Sequence, residues 1–424
     1  MGVTDFFALH YSNRNLYMHF SDIRRLQTKK LRSLLVNAYE TVPFYHEKFR
    51  NAGLHPCDLQ SLEDLHKIPL TTKNELQASP LNKMIAQGVR LETCVESRTS
   101  GSTGIPLRLF SSKKTDSYAW TMMTRAYLQN GMHLRDKMII IRDLSDHPAM
   151  PKSIGEYFGL MRKRYISIFD DPKIQLNFFA KEKPDIIQSF PSTFVVAADS
   201  YECALNPKLR LIFTTGEFLD AQSRETITKS FNAELFDYYA STELGLISWE
   251  CKQHSEYHIN SDNLIIEFVD ENNDPLSTGE TGEIVCTNLN NYQMPLIRYA
   301  HGDAGQAVDG TCSCGITLPL MRIVGGRKDD FLQTTDGRRL PTTIFFPYPF
   351  QNGDGIKQFR VIQERRNRLK IQLVLREKLA PDIFLNARKE IQRVFGEDMD
   401  VEFETLDQLD RDISGKLRKV ISRI

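Results

Sequence analysis

A short segment near position 100 combines hydroxyl side chains with glycines in the order Ser-Gly-Ser-Thr-Gly. Glycine adopts backbone angles that are closed to other residues, so Gly101 and Gly104 would let several amide N–H groups point at one anion. The hydroxyl groups of Ser100, Ser102 and Thr103 would add further donors. The segment therefore suits a polyphosphate, although a flexible linker or a plain surface turn has the same composition. It is not a Walker A loop, and no G-x-G-x-x-G fingerprint occurs in the chain.

A second set of side chains could hold a metal ion. Cys251, His254 and His258 lie close together in the sequence, and Cys312 and Cys314 form a C-x-C pair further along. Three thiolates and one imidazole make the Cys₃His set that structural Zn²⁺ favours. Because protein ligands would fill all the coordination positions, such an ion would be structural and not catalytic. The alternative is a group of free buried thiols.

The composition is that of a globular protein of enzyme size. The 424 residues include 54 basic and 54 acidic side chains, so the formal net charge is zero. This balance gives no electrostatic footprint for nucleic acid or an anionic membrane. No apolar run approaches the roughly 18–20 residues of a membrane span, and the N-terminus lacks a signal-peptide pattern. Seven cysteines, four of them scattered, argue against a disulfide framework and for a cytoplasmic location.

The elements that must position these groups alternate between strands and helices. Apolar residues recur mostly at three- and four-residue steps over 23–39, which predicts an amphipathic helix. Strand-like runs at 137–141, 209–213 and 234–239 are separated by segments long enough for helices. This alternation indicates an α/β sheet.

The sequence pattern changes in the second half of the chain. From about residue 263, strand-like segments around a turn-rich connection predict a hairpin and more antiparallel pairing. A break at 325–330 is followed by a strand, a helix, another strand and a charged tail. We therefore predict an α/β fold with mixed sheets in a large N-terminal domain, 1–328, and a small α+β C-terminal domain, 329–424.

Six short motifs follow one another along the chain. They are TSGSTGIP at 99–106, TTGE at 214–217, YYASTELG at 238–245, MPLIRYAHGD at 294–303, GRKDD at 326–330 and SGKLRK at 414–419. In this order they resemble the adenylate-forming enzymes, the superfamily of acyl- and aryl-CoA synthetases. MPLIRY followed by CSCG is most similar to the phenylacetate–CoA ligase branch and its capsule-biosynthesis-like relatives. The resemblance extends from about residue 20 to residue 424.

The resemblance implies how the first motifs would bind MgATP. The loop at 100–104 would hold the β- and γ-phosphates mainly through its backbone, because Leu107 stands where many members carry a lysine. In YYASTE, Tyr239 would lie against the adenine ring and Thr242 would contact the α-phosphate. Glu243 would hold Mg²⁺, a hard cation that carboxylates and phosphates commonly share.

The resemblance also implies nucleotide contacts in the middle of the chain. Gly216 and Glu217 follow a predicted strand, at the carboxyl end where open α/β sheets bind ligands, and they would lie beside adenine. Asp303 matches the residue that accepts both ribose hydroxyls, and Arg327 would also reach the ribose. His301 replaces a commoner threonine, and a plain loop residue is the expectation there.

Two residues would control the chemistry of the C-terminal domain. Asp329 matches the hinge about which this small domain swings. Lys416 matches the lysine that stabilises charge at the α-phosphate and the carboxylate during adenylation. Read by itself, a lysine in SGKLRK would be a solvated tail charge, so its role depends on the resemblance. Members of the similar branch also imply that His258, and not His254, completes the zinc set.

The expected function is a ligation in two steps. A carboxylate and MgATP give acyl-AMP and pyrophosphate, and the thiol of CoA then displaces AMP. An amine, a carrier-protein thiol or another cofactor is an alternative acceptor, because the segment GRRLPTTIFFPYPFQNGDG departs from the aryl-CoA ligase pattern. A nucleotide-binding scaffold is a third alternative, disfavoured by the presence of Glu243, Asp303, Arg327 and Lys416.

The acid and the oligomeric state are less constrained. The segment SFPSTF matches the substrate side of the similar enzymes, and Phe190 and Phe194 within it favour an apolar, aromatic acid. Core packing explains both rings equally well. A homodimer is an expectation taken from the similar branch.

Overall fold

The computed structural model describes residues 3–99, 107–144, 154–198, 208–327, 332–337, 339–340, 355–412 and 415–424. The described residues form two compact units. The first is built from Met1–Asp136, Pro151–Arg162 and Phe236–Ile323, and the second from Lys137–Met150, Lys163–Leu235 and Val324–Ile424. Ser100 to Gly104 and Asp329 lie outside the described residues, and of Arg327 only the backbone is described.

Helices and short 3₁₀ turns dominate the start of the chain. The α-helices are α1 (Val3–Asn15), α2 (Phe20–Thr41), α3 (Pro43–Asn51), α4 (Lys73–Ala78), α5 (Leu81–Met84), α6 (Lys113–Gln129), α7 (Ile154–Tyr157), α8 (Pro172–Glu182), α9 (Pro191–Ala198), α10 (Ala221–Phe231) and α11 (Pro381–Phe395). The 3₁₀ turns are Pro56–Asp58, Glu63–Lys67 and Leu91–Thr93. Helix α2 contains the predicted segment 23–39, and its apolar face is buried as the periodicity requires.

The strands include those that the apolar runs predicted at 137–141, 209–213 and 234–239. They are β1 (Cys94–Arg98), β2 (Arg108–Ser112), β3 (Lys137–Arg142), β4 (Arg162–Ser167), β5 (Ile186–Ser189), β6 (Leu211–Thr215), β7 (Glu234–Ser241), β8 (Gly245–Glu250), β9 (Tyr257–Ile259), β10 (Leu264–Val269), β11 (Gly282–Asn288), β12 (Tyr299–Val308), β13 (Leu320–Arg327), β14 (Leu332–Gln333), β15 (Arg339–Leu340), β16 (Ile356–Arg365), β17 (Arg368–Leu375), β18 (Asp400–Thr405) and β19 (Val420–Ser422).

The first unit is rich in antiparallel strands. Its neighbouring strands run in the order β10-β11-β12-β13-β9-β8-β7. The predicted hairpin is present, with Leu264 opposite Asn288 across β10 and β11. Two clusters of buried apolar side chains fill this unit, one of them between α2, α3 and the sheet region.

The second unit contains the parallel part of the fold. Strands β6, β5, β3 and β4 are neighbours in that order, and Ile186 of β5 pairs in parallel with Met138 and Leu211. Helices α8, α9 and α10 connect or follow these strands, as in an α/β sheet. The expected α/β class with mixed sheets is therefore confirmed.

The C-terminal part of the second unit has its own sheet and core. Strands β18, β17, β16 and β19 are neighbours in that order, and α11 supplies buried apolar residues to the same cluster. The predicted strand, helix and strand correspond to β17, α11 and β18. The tail is not merely charged, because Val420 in β19 pairs in parallel with Val361 in β16. This pairing fixes the segment that carries Lys416 at its C-terminal side.

Candidate active site and metal centre

A polar cluster lies on β7 and β12 of the first unit. The Tyr239 hydroxyl donates to Asp303 Oδ2 over 2.7 Å and lies 3.1 Å from His301 Nδ1. His301 Nδ1 is also 2.8 Å from the same oxygen of Asp303. The sequence predicted Tyr239 and Asp303 as nucleotide-binding residues, and the structure brings these two side chains into direct contact. His301, expected to be a plain loop residue, is instead a partner of the Asp303 carboxylate.

The turn after β7 carries the other two predicted residues of this region. Thr242 is exposed in the turn, and Glu243 is partly exposed beside it. The hydroxyl of the buried Tyr299 is 3.4 Å from Glu243 Oε1. The ring of His301 lies edge-on to both Tyr239 and Tyr299, at centroid distances of 5.7 and 6.3 Å. A continuous chain of side chains therefore connects Asp303 with Glu243.

A second cluster lies in the second unit, at the carboxyl ends of β5 and β6. Gly216 follows β6 with a φ of +80°, and a Cβ built there would lie 2.7 Å from Phe190 Cε1 and 3.6 Å from Lys416 Cε. The Lys416 ammonium is 5.8 Å from the centroid of the Phe190 ring. The lysine near the chain terminus thus packs at a strand end, which is where open α/β sheets place their ligand sites.

The Glu217 carboxylate is held by three donors in this second cluster. Its oxygens accept from the Ser192 backbone N–H at 3.1 Å, the Ser192 hydroxyl at 3.0 Å and the Leu417 backbone N–H at 2.6 Å. Sequence reasoning did not single out Ser192 or Leu417. Both lie inside motifs that were identified, SFPSTF and SGKLRK, but no spacing rule indicates that they meet.

The predicted metal-binding residues come together in the first unit. Cys251 follows β8, His258 lies in β9, and Cys312 and Cys314 lie in the connection between β12 and β13. One donor atom from each residue lies within 4.8 Å of every other. The closest pairs are Cys251 Sγ to Cys312 Sγ at 3.5 Å and Cys314 Sγ to His258 Nε2 at 3.3 Å. In the described part of the chain this is the single His/Cys/Asp/Glu group with such geometry.

Burial decides the protonation of this set. Burial, reinforced by the neighbouring thiols, raises the pKa of Cys251 to about 12 despite a hydrogen bond from the Gln253 N–H. Burial lowers the pKa of His258 to about 4, so its imidazole is neutral. His254 is not part of this set: its Nδ1 is 3.7 Å from Glu250 Oε2, and its ring is 4.9 Å from the Phe236 ring centroid.

By its fold, the chain resembles the CoA ligases of the adenylate-forming class. A solved structure of 2-hydroxyisobutyryl-CoA ligase in the postadenylation state matches it with a TM-score of 0.79 at 19% sequence identity. That match covers 96% of this chain and 91% of the ligase chain. At this level of identity the likeness establishes the fold.

Sequence comparison narrows the resemblance. The chain is 28% identical to the phenylacetate-coenzyme A ligase of Pseudomonas putida, over 76% of this chain and 74% of that protein. It is 20% identical to the protein CapK of Staphylococcus aureus, over 95% of this chain and 90% of that protein. A family profile described as the CapK C-terminal domain matches residues 333–423. The resemblance stated from the six motifs is therefore confirmed.

Proposed function

We propose that the protein is an AMP-forming acid–thiol ligase. A carboxylate attacks the α-phosphate of ATP and releases pyrophosphate, and the thiol of CoA then attacks the acyl-AMP and releases AMP. The observation that carries the proposal is the position of Lys416 against Gly216 and Phe190 at the ends of β5 and β6. A cation held at a strand end can neutralise charge that develops on a phosphate in the first step.

The comparisons support the same chemistry. Relatives named phenylacetate-coenzyme A ligase occur in Pseudomonas putida and in Escherichia coli (strain K12). The structural neighbour 2-hydroxyisobutyryl-CoA ligase has been solved in complex with an acyl-AMP and CoA. These names concern those proteins, and the extension to ATP, a carboxylic acid and CoA in this chain is our proposal.

We assign the nucleotide-binding roles as follows. The Asp303 carboxylate accepts the ribose hydroxyls, and Tyr239, which already donates to that carboxylate, lies along the adenine. Glu243 holds Mg²⁺ together with the phosphates, and the Tyr299 hydroxyl orients it. Thr242 contacts the α-phosphate.

The remaining assignments depend on the motifs. The loop formed by Ser100, Gly101, Ser102, Thr103 and Gly104 cradles the outer phosphates, and Arg327 contacts the ribose. Residues 329–424 form a lid that turns about Asp329 on a large domain of residues 1–328. Phe190, which packs beside Lys416, supports an apolar or aromatic acid.

The second step has a second candidate acceptor. The segment GRRLPTTIFFPYPFQNGDG at 337–355 departs from the aryl-CoA ligase pattern. This observation favours, as a second candidate, transfer of the acyl group to an amine, a carrier protein or another cofactor. Both candidates share the adenylation step.

The test is exchange of labelled pyrophosphate into ATP across a panel of carboxylic acids. We expect exchange with at least one acid, and we expect Lys416→Ala to abolish it while Lys389→Ala, on the exposed face of α11, leaves it unchanged. Incubation of the active acid with CoA, amines and phosphopantetheinyl carriers then identifies the acceptor. Full exchange in Lys416→Ala would reject the role of the lysine, and absence of exchange with every acid would reject the ligase proposal.

We further propose that Cys251, His258, Cys312 and Cys314 hold a structural Zn²⁺. The donor set fits the ion: it offers three sulfurs and one neutral imidazole, mutually within 4.8 Å. Backbone N–H groups of Gln253 and Ile316 point at the sulfurs of Cys251 and Cys314, both at 3.4 Å, and such bonds stabilise thiolate ligands. The ion would fasten β8 and β9 to the connection before β13.

Metal analysis of protein purified without chelator tests this site. We expect about one zinc per chain, which is what a single Cys₃His set can bind. Cys312→Ser should lose the metal, whereas Cys57→Ser, at an exposed thiol outside the set, should keep it. Metal-free protein that is fully folded would refute the site.

Two further points concern the environment of the protein. No helix in the described part of the chain is both long and apolar enough to cross a membrane. The described cysteines are all free thiols, which supports our proposal of a cytoplasmic location. The homodimer expected from the similar branch stays a prediction, which sedimentation of the purified protein would test.

A further inference from the structure

Lys416 lies in the connection between β18 and β19. We propose that a latch formed by Glu217 and Asp220 on one side and by Leu417 and Lys419 on the other holds Lys416 in the arrangement that adenylates the acid. Lys419 is then a positioning residue that acts through Lys416. The inference rests on the proposed ligase function. It adds a set of contacts that favours adenylation of the acid over transfer of the acyl group to the acceptor.

The first arm of the latch is the Glu217 carboxylate. It accepts the N–H of Leu417, the residue next to Lys416, at 2.6 Å. The same carboxylate is oriented from behind by the N–H and the hydroxyl of Ser192, at 3.1 and 3.0 Å. A backbone bond to the neighbour of the lysine fixes where the lysine side chain starts.

The second arm is an ion pair between Asp220 and Lys419. The Lys419 ammonium contacts Asp220 Oδ2, and it lies 3.2 Å from the Ser223 hydroxyl. The side chains are only 14% and 23% exposed, so water screens this pair less than a surface pair. Burial works to raise the pKa of Asp220, but Lys419 and the Ser223 donors outweigh it and leave the pKa lowered, so the carboxylate is charged.

Asp220 is itself rigidly placed. It is the N-cap of α10, and its side chain accepts from the Ser223 N–H at 2.9 Å and from the Ser223 hydroxyl at 2.7 Å. The ammonium of Lys419 therefore meets an acceptor whose position is set by a helix end. A pre-organised acceptor loses little entropy when the pair forms.

The segment that carries Lys416 is also tied internally. Asp412 exchanges two bonds with Lys416: its side chain accepts the Lys416 N–H at 3.0 Å, and its own N–H donates to the Lys416 carbonyl at 2.9 Å. Arg411 donates to the Gly415 carbonyl at 2.8 Å and to the Ser192 hydroxyl at 3.0 Å. Asp412, Gly415 and Lys416 are thus tied to their neighbours, and the latch positions Lys416 together with them.

The other side of the segment belongs to the C-terminal sheet. The Val361 N–H donates to the Lys419 carbonyl at 2.8 Å, and the Arg360 guanidinium donates to the Arg418 carbonyl at 2.9 Å. In the proposed lid movement these bonds travel with residues 329–424, whereas Glu217 and Asp220 stay with β6 and α10. The latch contacts therefore exist when the lid is in the arrangement for adenylation and are lost when the lid turns away. The free energy of these contacts shifts the equilibrium between the two lid arrangements toward the first.

Lys419→Ala separates the two half-reactions. We expect acid-dependent pyrophosphate exchange to fall by about fivefold or more, the lower range of measured couplings between two states. Formation of the thioester from synthetic acyl-AMP and the acceptor should be unchanged or faster. Lys389→Ala is the matched control, and Lys419→Arg, which restores the charge, should recover exchange. Equal loss in both half-reactions, or no loss of exchange, would overturn the latch.

A second measurement keeps the latch separate from the ligase proposal. Without any substrate, amide hydrogen exchange of the peptide covering residues 415–420 should speed up in Lys419→Ala and stay at the wild-type rate in Lys389→Ala. Asp220→Asn, which keeps a capping side chain but removes the charge, should give the same increase. Unchanged amide protection in both latch variants would overturn the latch. Absence of pyrophosphate exchange in the wild-type protein would instead overturn the ligase function, and the hydrogen-exchange measurement would then decide whether the latch exists.

Discussion

Replacement of Gly415 by alanine tests the placement of Lys416 with a single methyl group. Gly415 has a φ of +78°, and a Cβ built on it would lie 2.5 Å from Ile168 Cγ2. The side chain of Ile168 is almost fully buried in the core of the parallel strands, so it has little room to move. Either the methyl group or the turn that carries Lys416 must give way.

The size of the effect follows from the geometry. A positive φ costs an alanine about 1–2 kcal/mol. Carbon atoms in contact sit about 3.5–4.0 Å apart, so relief of the clash displaces the turn by about 1 Å. A displacement of about 1 Å in a positioned catalytic group lowers a rate by about a hundredfold, or about 2.7 kcal/mol in the barrier. We expect this loss in adenylation.

The assay is acid-dependent exchange of pyrophosphate into ATP, measured together with the thermal midpoint. Gly279→Ala is the matched control, because Gly279 has a φ of +87° and no atom within 4 Å of the added Cβ. This variant also places an alanine at a positive φ, but without the steric clash. Its exchange rate should match that of the wild type. Ile168→Ala in the Gly415→Ala background removes the clashing atom and should recover part of the exchange.

Two results would refute the reasoning. One is wild-type exchange by Gly415→Ala, which would mean that the position of the turn does not matter. The other is an equal loss of exchange in Gly279→Ala, which would assign the effect to general destabilisation. A fall in the thermal midpoint alone does not distinguish these results. The exchange rate and the thermal midpoint are therefore measured on the same preparation.

Three further outcomes follow from the described contacts. Asp262→Ala should lower the free energy of unfolding by about 3–5 kcal/mol in urea, because it leaves the fully buried Arg125 guanidinium without its carboxylate partner. Asp22→Ala, in an exposed pair, should cost under about 1 kcal/mol. Tyr239→Phe removes the donor to Asp303, and a bond to a charged group is worth about 1.5–3 kcal/mol, so the KM for ATP should rise about tenfold or more with kcat little changed. Chelation of the proposed zinc should lower the thermal midpoint, and added zinc should restore it.

Each of these outcomes has a clear contrary. Equal urea midpoints for Asp262→Ala and Asp22→Ala would show that the buried pair contributes no more than a surface pair. A fall in kcat at unchanged KM in Tyr239→Phe would move Tyr239 from nucleotide binding to the reaction itself. A chelator without effect on the thermal midpoint would leave Cys251, Cys312 and Cys314 as packed free thiols beside His258.

Local pattern identified several elements of the fold. The periodicity over 23–39 predicted α2, and the alternation at the C-terminus predicted β17, α11 and β18. These predictions succeed because a helix face or a strand face buries residues at a fixed short spacing, which the sequence displays directly. The tail was read as solvated charge, and β19 was missed because a strand of three residues carries too short a pattern.

The motifs named residues of the candidate site, but not the contacts between them. Tyr239 and Asp303 were predicted separately, and their hydrogen bond, with His301 beside it, exists because β7 and β12 lie in one unit. His301 was read as an ordinary loop residue, since a single histidine carries no periodic signal. Only the folded chain shows its contact with the Asp303 carboxylate.

The sequence by itself determined the class of the fold and the order of the motifs, and it singled out Lys416 as a candidate residue. The tertiary structure alone decided which distant groups meet: Cys251 with Cys312, 61 positions apart, and Glu217 with Leu417, 200 positions apart. The physical reason is that backbone preferences and apolar periodicity act over a few residues. Contacts across hundreds of residues arise when strands pair and cores pack, and no local spacing encodes them.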